Sequence, residues 1–315
     1  MSLLRRRSVF AAKTETTIGT AESLANADGV FNAREFSIVP NIGMSRREGQ
    51  GGFNYLRSVP EGMGGTATIV HELAYDGETV PNWAAVLLPA CGYVDDDGVF
   101  SPVSRGPGGS GLPKTLTIGG YFDGKLRQLV GCMGNVVFAF PTGQMATATF
   151  TFTGKYSTNE TDVALLTPTY PTEKPLRFAD GGVLWNSVSL CTSTASIDIG
   201  NEVILRECAE TGNRTGYKSA LITNRAPVIT ADPESVLVAT QNRDLQWLDI
   251  DTAALAITLN GPGNSKIVFD APAAQLENKQ PGERSGMMTD DLTWLATRGA
   301  EPDTELTITF DHLTP

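Results

Sequence analysis

The stretch GQMATATFTFTG, residues 143–154, determines the fold class that this sequence predicts. Ala146, Ala148, Phe150 and Phe152 alternate there with a row of threonines. An alternation with a period of two is typical of a β-strand whose two faces meet different surroundings. We therefore predict a strand that packs its apolar face into a core and turns its threonines toward water.

A matching strand is predicted near the end of the sequence. Leu292 and Trp294 stand where Phe150 and Phe152 stand in the first copy, since 292 − 150 and 294 − 152 are both 142. The residues that alternate with them are polar in both copies, so each strand is predicted to have a polar face. The residues expected on this polar face are Thr147, Thr149, Thr151, Thr289, Asp291 and Thr293.

The similarity between the two halves extends upstream of these strands. The segment FSIVPNIG from Phe36 resembles ASIDIGNE from Ala195, and each leads into a long segment rich in Gly, Arg and Glu. A strand-like run follows in each half, and then a short helical segment, at Pro81–Gly92 and at Asp232–Asp244. We predict a mainly β fold of two duplicated β-sandwich or partial-barrel domains, each with one short flanking α-helix.

Proline and charge set the predicted domain boundaries. Three prolines between Thr158 and Gly182 indicate an extended connector. The basic residues at the start indicate an N-terminal arm that orders only against a neighbouring molecule. The predicted organisation is an N-terminal arm (1–32), a first β domain (33–155), a Pro-rich linker (156–182) and a second β domain (183–315).

Composition limits the possible partners. The chain of 315 residues carries 24 basic and 35 acidic residues, a formal net charge of −11. Sequence-independent binding to nucleic acid needs basic contacts, so we expect no tight or specific binding of DNA. The four cysteines lack a metal-binding spacing and are expected to be buried thiols in a reducing compartment. No run is long and apolar enough for a signal peptide or a membrane span, so we expect no membrane partner.

The residue types that carry enzyme chemistry are scarce. A nucleophilic centre built on histidine would need His71 or His312, and His71 is most simply a strand residue in TIVHELA. The glycine string GPGGSG (106–111) fits no phosphate-loop spacing and is interpreted as a turn. Asp95–Asp97 lacks the alternating ligands of a calcium loop and is interpreted as a solvated loop. We predict no enzyme activity, no catalytic residues, no cofactor and no metal site.

Two long segments are expected to contact another subunit. Met44–Gly65 and Val203–Ser219 exceed the usual length of a hairpin loop, which is about two to five residues. Charges of both signs surround a few aromatic residues, which is typical of a specific interface. The contact candidates are Arg46, Arg47, Glu48, Phe53, Tyr55, Arg57, Arg206, Glu207, Glu210, Arg214 and Tyr217.

The order of these features resembles the tail tube proteins of long-tailed, non-contractile bacteriophages. The opening AAKTETTIGTAESLANADGVF (11–31) leads into EFSIVPN, and NWAAVLLPACGY and the pair LTIGGYFDGKLRQLVGCMGNVVFAF follow. FTFTGKY then closes the first half, and SIDIGNEV opens the second. Each motif is weak alone, but their order and spacing are specific, and the resemblance covers nearly the whole chain.

The resemblance implies a structural protein of the virion tail. In that family the subunits are β-sandwiches whose inner sheets join around a ring, and stacked rings form the tube through which the genome leaves the capsid. The implied partners are other copies of the chain, a tape measure protein inside the tube, and tail terminator and distal tail or baseplate proteins at its ends. Viral DNA would pass without specific binding, and assembly would take place in the bacterial host cytoplasm.

The duplication bears on the number of chains in a ring. Single-domain members of that family form sixfold rings, so two domains per chain favour a homotrimer with pseudo-sixfold symmetry. The alternative is a true hexamer whose second domain decorates the outside. In either arrangement, the contact candidates are expected to meet the adjacent ring. The polar strand face is expected to face either the lumen or the outer solvent.

Two other function classes fit some of the features. A capsid, head-decoration or baseplate component would also be a β-rich virion protein, but the long helix of a shell protein is missing from the predicted elements. A carbohydrate-binding β protein would need clustered exposed aromatic residues, whereas the four tryptophans are scattered along the sequence.

Overall fold

Residues 147–154 of the alternating stretch lie in a strand, as predicted, and strands dominate the described part of the chain. The computed structural model describes residues 3–104, 113–156, 160–179 and 181–311. The strands of the first half are β1 (Ser8–Thr14), β2 (Ala33–Glu48), β3 (Tyr55–Glu72), β4 (Tyr93–Asp96), β5 (Val99–Pro102), β6 (Leu116–Phe122), β7 (Lys125–Pro141), β8 (Thr147–Lys155) and β9 (Thr161–Asp162).

The second half repeats this abundance of strands. They are β10 (Gly181–Trp185), β11 (Val188–Leu190), β12 (Thr192–Asp198), β13 (Asn201–Glu207), β14 (Tyr217–Arg225), β15 (Val228–Pro233), β16 (Thr252–Asn260), β17 (Lys266–Arg284), β18 (Met287–Ala296) and β19 (Thr307–Asp311). Among the described residues, helical structure is limited to short pieces, which are Asn26–Gly29, Trp83–Leu87, Leu88–Cys91, α1 (Arg243–Leu248) and Pro262–Asn264. None of the helices in the described ranges is long and apolar enough to cross a membrane.

The two halves use the same strand order. In the first half the neighbours run β2-β3-β8-β7-β6-β1, and all of these pairs are antiparallel. In the second half the corresponding order is β12-β15-β18-β17-β16-β10, again antiparallel throughout. Strands β7 and β17 are long because each pairs with one neighbour through its first part and with another through its second part.

Two strand pairs join the halves among the described residues: β5 pairs with β19 through Phe100 opposite Ile308, and a longer pairing joins β7 to β12. Residues 137–141 of β7 pair with residues 194–198 of β12, with Phe138 opposite Ile197. The sheet is therefore continuous in the order β2-β3-β8-β7-β12-β15-β18-β17. Phe138 and Phe140 lie 4.8 and 5.1 Å from Phe269, measured between ring centroids, so the halves also share aromatic packing.

The predicted apolar faces form the core. Phe150 and Phe152 are buried and their parallel rings lie 5.9 Å apart. Leu292 and Trp294 are buried in the second half, where Trp294 meets Trp185 at 5.1 Å. Burial of such faces is the main stabilising contribution in a sheet protein of this kind, at roughly 25 cal/mol per Å² of apolar surface.

The start of the chain differs from the expectation of an arm that orders only against a neighbour. Strand β1 pairs with β6 in register from Ser8 opposite Phe122 to Thr14 opposite Leu116. The physical reason is the apolar run from Val9 to Ala12, which is buried within the first half. The basic residues precede this run and leave it free to pack.

The second helical segment was predicted wrongly. Residues 228–233 are strand β15, and the helix α1 begins only at Arg243. Asp232 is not a helix cap, because its Oδ1 atom accepts hydrogen bonds from the amides of Ser193 and Thr194 and so ties β15 to β12. Asn242 is the true N-cap, since its side chain accepts from the amide of Leu245.

The first helical segment lies where the sequence predicted it. Trp83–Leu87 and Leu88–Cys91 form consecutive turns of π and 3₁₀ type, and Gly92 ends them in the left-handed region at φ 84°. The Pro-rich connector is extended but packed, because Leu176 and Phe178 are buried in the same core as both halves.

Candidate assembly surfaces

The face of the continuous sheet opposite the core is rich in hydroxyl groups. One cross-strand row joins Thr68, Thr151 and Asn135, and these three residues lie opposite one another on β3, β8 and β7. In the second half, the hydroxyls of Ser196 on β12 and Thr230 on β15 lie 2.7 Å apart. We call this surface the polar sheet face. Short neutral side chains dominate it, so it presents few groups that could hold a polyanion.

Thr289 departs from the predicted alternation. It is buried, and so is the neighbouring Asp290, whereas Asp291 and Thr293 keep the expected orientation. Asp290 points to the opposite, core-facing side of β18 and is held there by an ion pair, in which Arg243 Nη1 donates to Asp290 Oδ2 at 2.7 Å and the Arg243 side chain is 3% exposed. A charged pair in this position replaces the apolar packing that Ala148 provides in the first half.

The first long segment is a β-hairpin rather than a loop. Strands β2 and β3 stay paired as far as Glu48 opposite Tyr55, with register shifts near Met44 and Arg47. We call residues 41–63 the first hairpin and residues 45–59 its tip. Phe53 at the turn is fully exposed, and the other exposed large apolar residues of this hairpin are Ile42, Met44, Tyr55, Leu56 and Val59.

The second long segment is also a hairpin, formed by β13 and β14, and it lies against the first half of the same chain. The amide of Met63 donates to the carbonyl of Thr215 at 2.9 Å. A Cβ atom placed on Gly62 would come within 2.4 Å of Tyr217 Oη, so that ring lies directly on the base of the first hairpin. We call residues 201–225 the second hairpin.

A second apolar surface surrounds α1. Leu245, Trp247, Leu248 and Ile250 are exposed on this helix and just after it, and we call them the α1 patch. Leu248 is 73% exposed, so nothing in the described part of the chain covers it. Contiguous exposed apolar side chains of this size are typical of contact surfaces.

Two strand edges complete the candidate surfaces. Within the described residues, β2 pairs with β3 alone, and residues 276–284 of β17 pair with β18 alone. These edges lie at opposite ends of the continuous sheet. Unpaired edges invite strand addition, because their backbone groups lack partners.

The family model for phage tail tube proteins matches residues 5–310. This match covers nearly all of the sequence. The chain belongs to the phage tail tube protein family. A search of curated proteins found no match.

A phage tail tube protein is a structural component of the virion tail, and its family is not an enzyme family. In this tail tube chain the candidate histidine His71 is part of the sheet and its buried core. His71 lies in β3, 5% exposed, and burial lowers its pKa to about 4. Within the described ranges, no group of three or more His, Cys, Asp or Glu side chains could hold a metal ion.

The cysteines follow the expectation only in part. Cys91 and Cys132 are buried, and burial raises the pKa of both thiols. Cys191 is exposed and Cys208 is half-buried, so these two differ from the expected buried thiols. The three residues Asp95–Asp97 are exposed as expected, but Asp95 and Asp96 end strand β4 and only Asp97 lies in the turn, where the amide of Gly98 donates to Asp95 Oδ1. The glycine string 106–111 and His312 lie outside the described residues.

The predicted contact residues of this tail tube protein lie on two separate hairpins. Arg46, Arg47, Glu48, Phe53, Tyr55 and Arg57 are exposed on the first hairpin. Arg206, Glu207, Glu210 and Arg214 are exposed on the second, whereas Tyr217 is half-buried against Gly62 in the same chain.

Sequence reasoning missed the α1 patch and the two strand edges. The available signal for the patch was the run LQWLDID (245–251), in which apolar residues alternate with acids just after an Asn cap. The strand edges had no such signal, because edge status depends on which strands the fold brings together.

Proposed function

We propose that three copies of this chain close into a ring with pseudo-sixfold symmetry, and that rings stack into the tail tube through which the viral genome is ejected into the host. The observation that carries this proposal is the β7–β12 joint inside one chain. It supports the proposal because it joins the sheet of one half to the sheet of the other, while the equivalent edges at the two ends of the sheet are unpaired among the described residues.

The register of the proposed joint between copies follows from the internal one. Phe150 pairs with Ile69, which pairs with Phe36, and the corresponding chain of partners from Leu292 leads through Ala231 to Ala195. Two residues further along β2 and β12, Ile38 therefore corresponds to Ile197. The partner of Ile197 is Phe138.

On β17 the residue that corresponds to Phe138 is Pro281. Phe138 pairs with Ala148, and Pro281 pairs with Asp290, which is 142 residues after Ala148 because 290 − 148 is 142. Ile38 of one copy would then face Pro281 of the next. Strand β2 of each copy would continue the sheet of its neighbour until the ring closes, which removes both edges.

The hydrogen bonds at these edges support this register. In the internal joint, the amide of Ile199 donates to the carbonyl of Val136. In an antiparallel ladder every second pair exchanges backbone hydrogen bonds, so Ile197 and Phe138, two residues away, also form such a pair. Pro281 has no N–H to donate to the carbonyl of Ile38. Arg127 Nη1 already donates to that carbonyl at 2.7 Å, so the missing donor leaves no acceptor unsatisfied.

The number of chains follows from the duplication. Three chains carry six equivalent sheets, whereas a true hexamer would leave every second half outside the ring. The shared strand order of the halves supports the first arrangement.

The polar sheet face would line the bore. Thr149 and Thr151 and, in the second half, Asp291 and Thr293 would face the passing DNA together with Asp198. Hydroxyls and carboxylates give the phosphate backbone no cationic partner, so the genome would pass without being held.

The tip of the first hairpin would contact the adjacent ring. An exposed Phe53 and Tyr55 among Arg46, Arg47, Glu48 and Arg57 give the apolar centre and charged rim of a specific interface. The exposed charges of the second hairpin would add to this contact. A tape measure protein would occupy the bore during assembly in the host cytoplasm, with terminator and distal tail proteins at the ends.

A shortened hairpin tests this proposal. Ser45–Val59 is replaced by an Asn-Gly turn, which suits a two-residue hairpin connection and keeps the pairing of Met44 with Pro60. We expect a folded protein that closes single rings but does not stack them, as seen by negative-stain microscopy. Normal tubes from this variant would contradict the role of the tip, and wild-type protein that stays monomeric at high concentration would contradict the ring.

A further inference from the structure

The second hairpin closes over the end of the helical turn in the first half. Asn201 Nδ2 donates to the carbonyl of Cys91 at 2.7 Å and to that of Gly134 at 3.0 Å. Arg225 Nη1 donates to the carbonyl of Gly92 at 3.3 Å. The second hairpin, which follows β12 in the chain, therefore covers the end of the helical turn at Cys91. This end lies beside β7, the strand with which β12 pairs.

The α1 helix occupies the equivalent place in the second half. It follows β15 as Trp83–Cys91 follows β3 in the chain. Trp247 Nε1 donates to the carbonyl of Glu277 at 2.9 Å, next to Leu276 on β17. Leu276 pairs with Trp294 as Gly134 pairs with Phe152, so the α1 end and the Cys91 end lie at matching points of the two sheets.

The covering hairpin is missing at this second point. Leu248 is 73% exposed and Ile250 is 64% exposed, and no segment among the described residues lies over them. We infer that the α1 patch is covered by the base of the first hairpin from a second copy of the chain. This inference rests on the ring proposed above and names the surface that each neighbour supplies.

The register identifies which residues would meet the patch. Ile42 corresponds to Asn201, since 197 − 38 and 201 − 42 are both 159, and Met44 corresponds in the same way to Val203. Ile42 and Met44 are exposed and apolar. The polar contact that Asn201 makes inside one chain is thus replaced by an apolar contact between chains, which matches the apolar character of Trp247 and Leu248.

A photo-crosslinker at Leu248 tests the inference in assembled protein. We replace Leu248 by p-benzoylphenylalanine, irradiate purified rings or tubes, and identify the linked peptides by mass spectrometry. The expected product is a covalent dimer that joins 245–251 to a peptide from 41–63. The matched control carries the crosslinker at Leu184, which is exposed on β10 and is expected to give no link to 41–63.

The outcomes separate this inference from the proposed function. Rings that close but link Leu248 to another segment, or to nothing, would overturn the inference and leave the ring intact. Protein that forms no ring would overturn both. Leu248→Glu gives a second readout: we expect about a tenfold rise in the concentration needed for half-assembly, whereas Leu184→Glu assembles like the wild type.

Discussion

At the residue scale, His71 links the buried core to pH. Its ring lies 6.5 Å from that of Phe31 and 6.1 Å from that of Trp83, and its Nδ1 atom lies 2.6 Å from the carbonyl of Glu72. Burial lowers its pKa from 6.5 to about 4. Between these values the unfolded chain binds more protons than the folded one, so stability is complete above pH 6.5 and falls as the pH drops toward 4.

The unfolding free energy of the wild-type protein should fall between pH 7 and pH 4. We expect this fall to be smaller in His71→Gln, by up to about 3 kcal/mol. Urea denaturation at a series of pH values measures this loss for each variant. Phe31→Leu is the control, because it weakens the same packing without removing a titrating group and should keep the wild-type pH dependence. A His71→Gln protein with an unchanged pH dependence would contradict the assignment.

Single residues also show how far alternation predicts burial. Phe150 and Trp294 are buried as the period of two requires, because both stand on strands with a solvated opposite face. Thr289 is not exposed as the same pattern predicts. Asp290, on the opposite face, is buried together with its ion-pair partner Arg243, and this pair depends on where α1 packs, on which the strand sequence carries no information.

At the element scale, the contact between the two hairpins depends on a glycine. A Cβ atom at Gly62 would lie 2.4 Å from Tyr217 Oη, so Gly62→Ala must displace that ring. We expect faster amide hydrogen exchange throughout 201–225 and a loss of stability of about 1 kcal/mol. Gly182→Ala is the control, since nothing lies within 4 Å of its added methyl group. Unchanged exchange in the Gly62→Ala protein would show that the hairpin does not depend on this contact.

The elements differ in how well the sequence predicted them. The turn Trp83–Cys91 carries its own signals, a proline before it and Gly92 after it. The two hairpins looked like loops because glycines and charges interrupt their alternation, although their backbones stay paired to Glu48 and Glu207. Their pairing follows from the strands beneath them, which hold both ends of each segment in register.

At the scale of the whole molecule, the likeness of the two halves was visible in the sequence, but the way in which their sheets join was not. FSIVPNIG and ASIDIGNE align Ile38 with Ile197, and strand pairing in the structure gives the same correspondence. The joint of β7 with β12 could not be predicted, because pairing between distant strands is set by the packing of complete sheets. The proposed closed ring rests on that joint, because the same pairing between neighbouring chains would continue the sheet around the ring.

The measurement that tests this account most directly is a cryo-electron microscopy reconstruction of tubes assembled from the purified chain. We predict three chains per ring, with β2 of each chain paired to β17 of the next and Ile38 opposite Pro281. Thr149 and Thr151 should face the bore. Six chains per ring, with the second halves outside and the β2 edge paired to anything other than β17, would contradict the account.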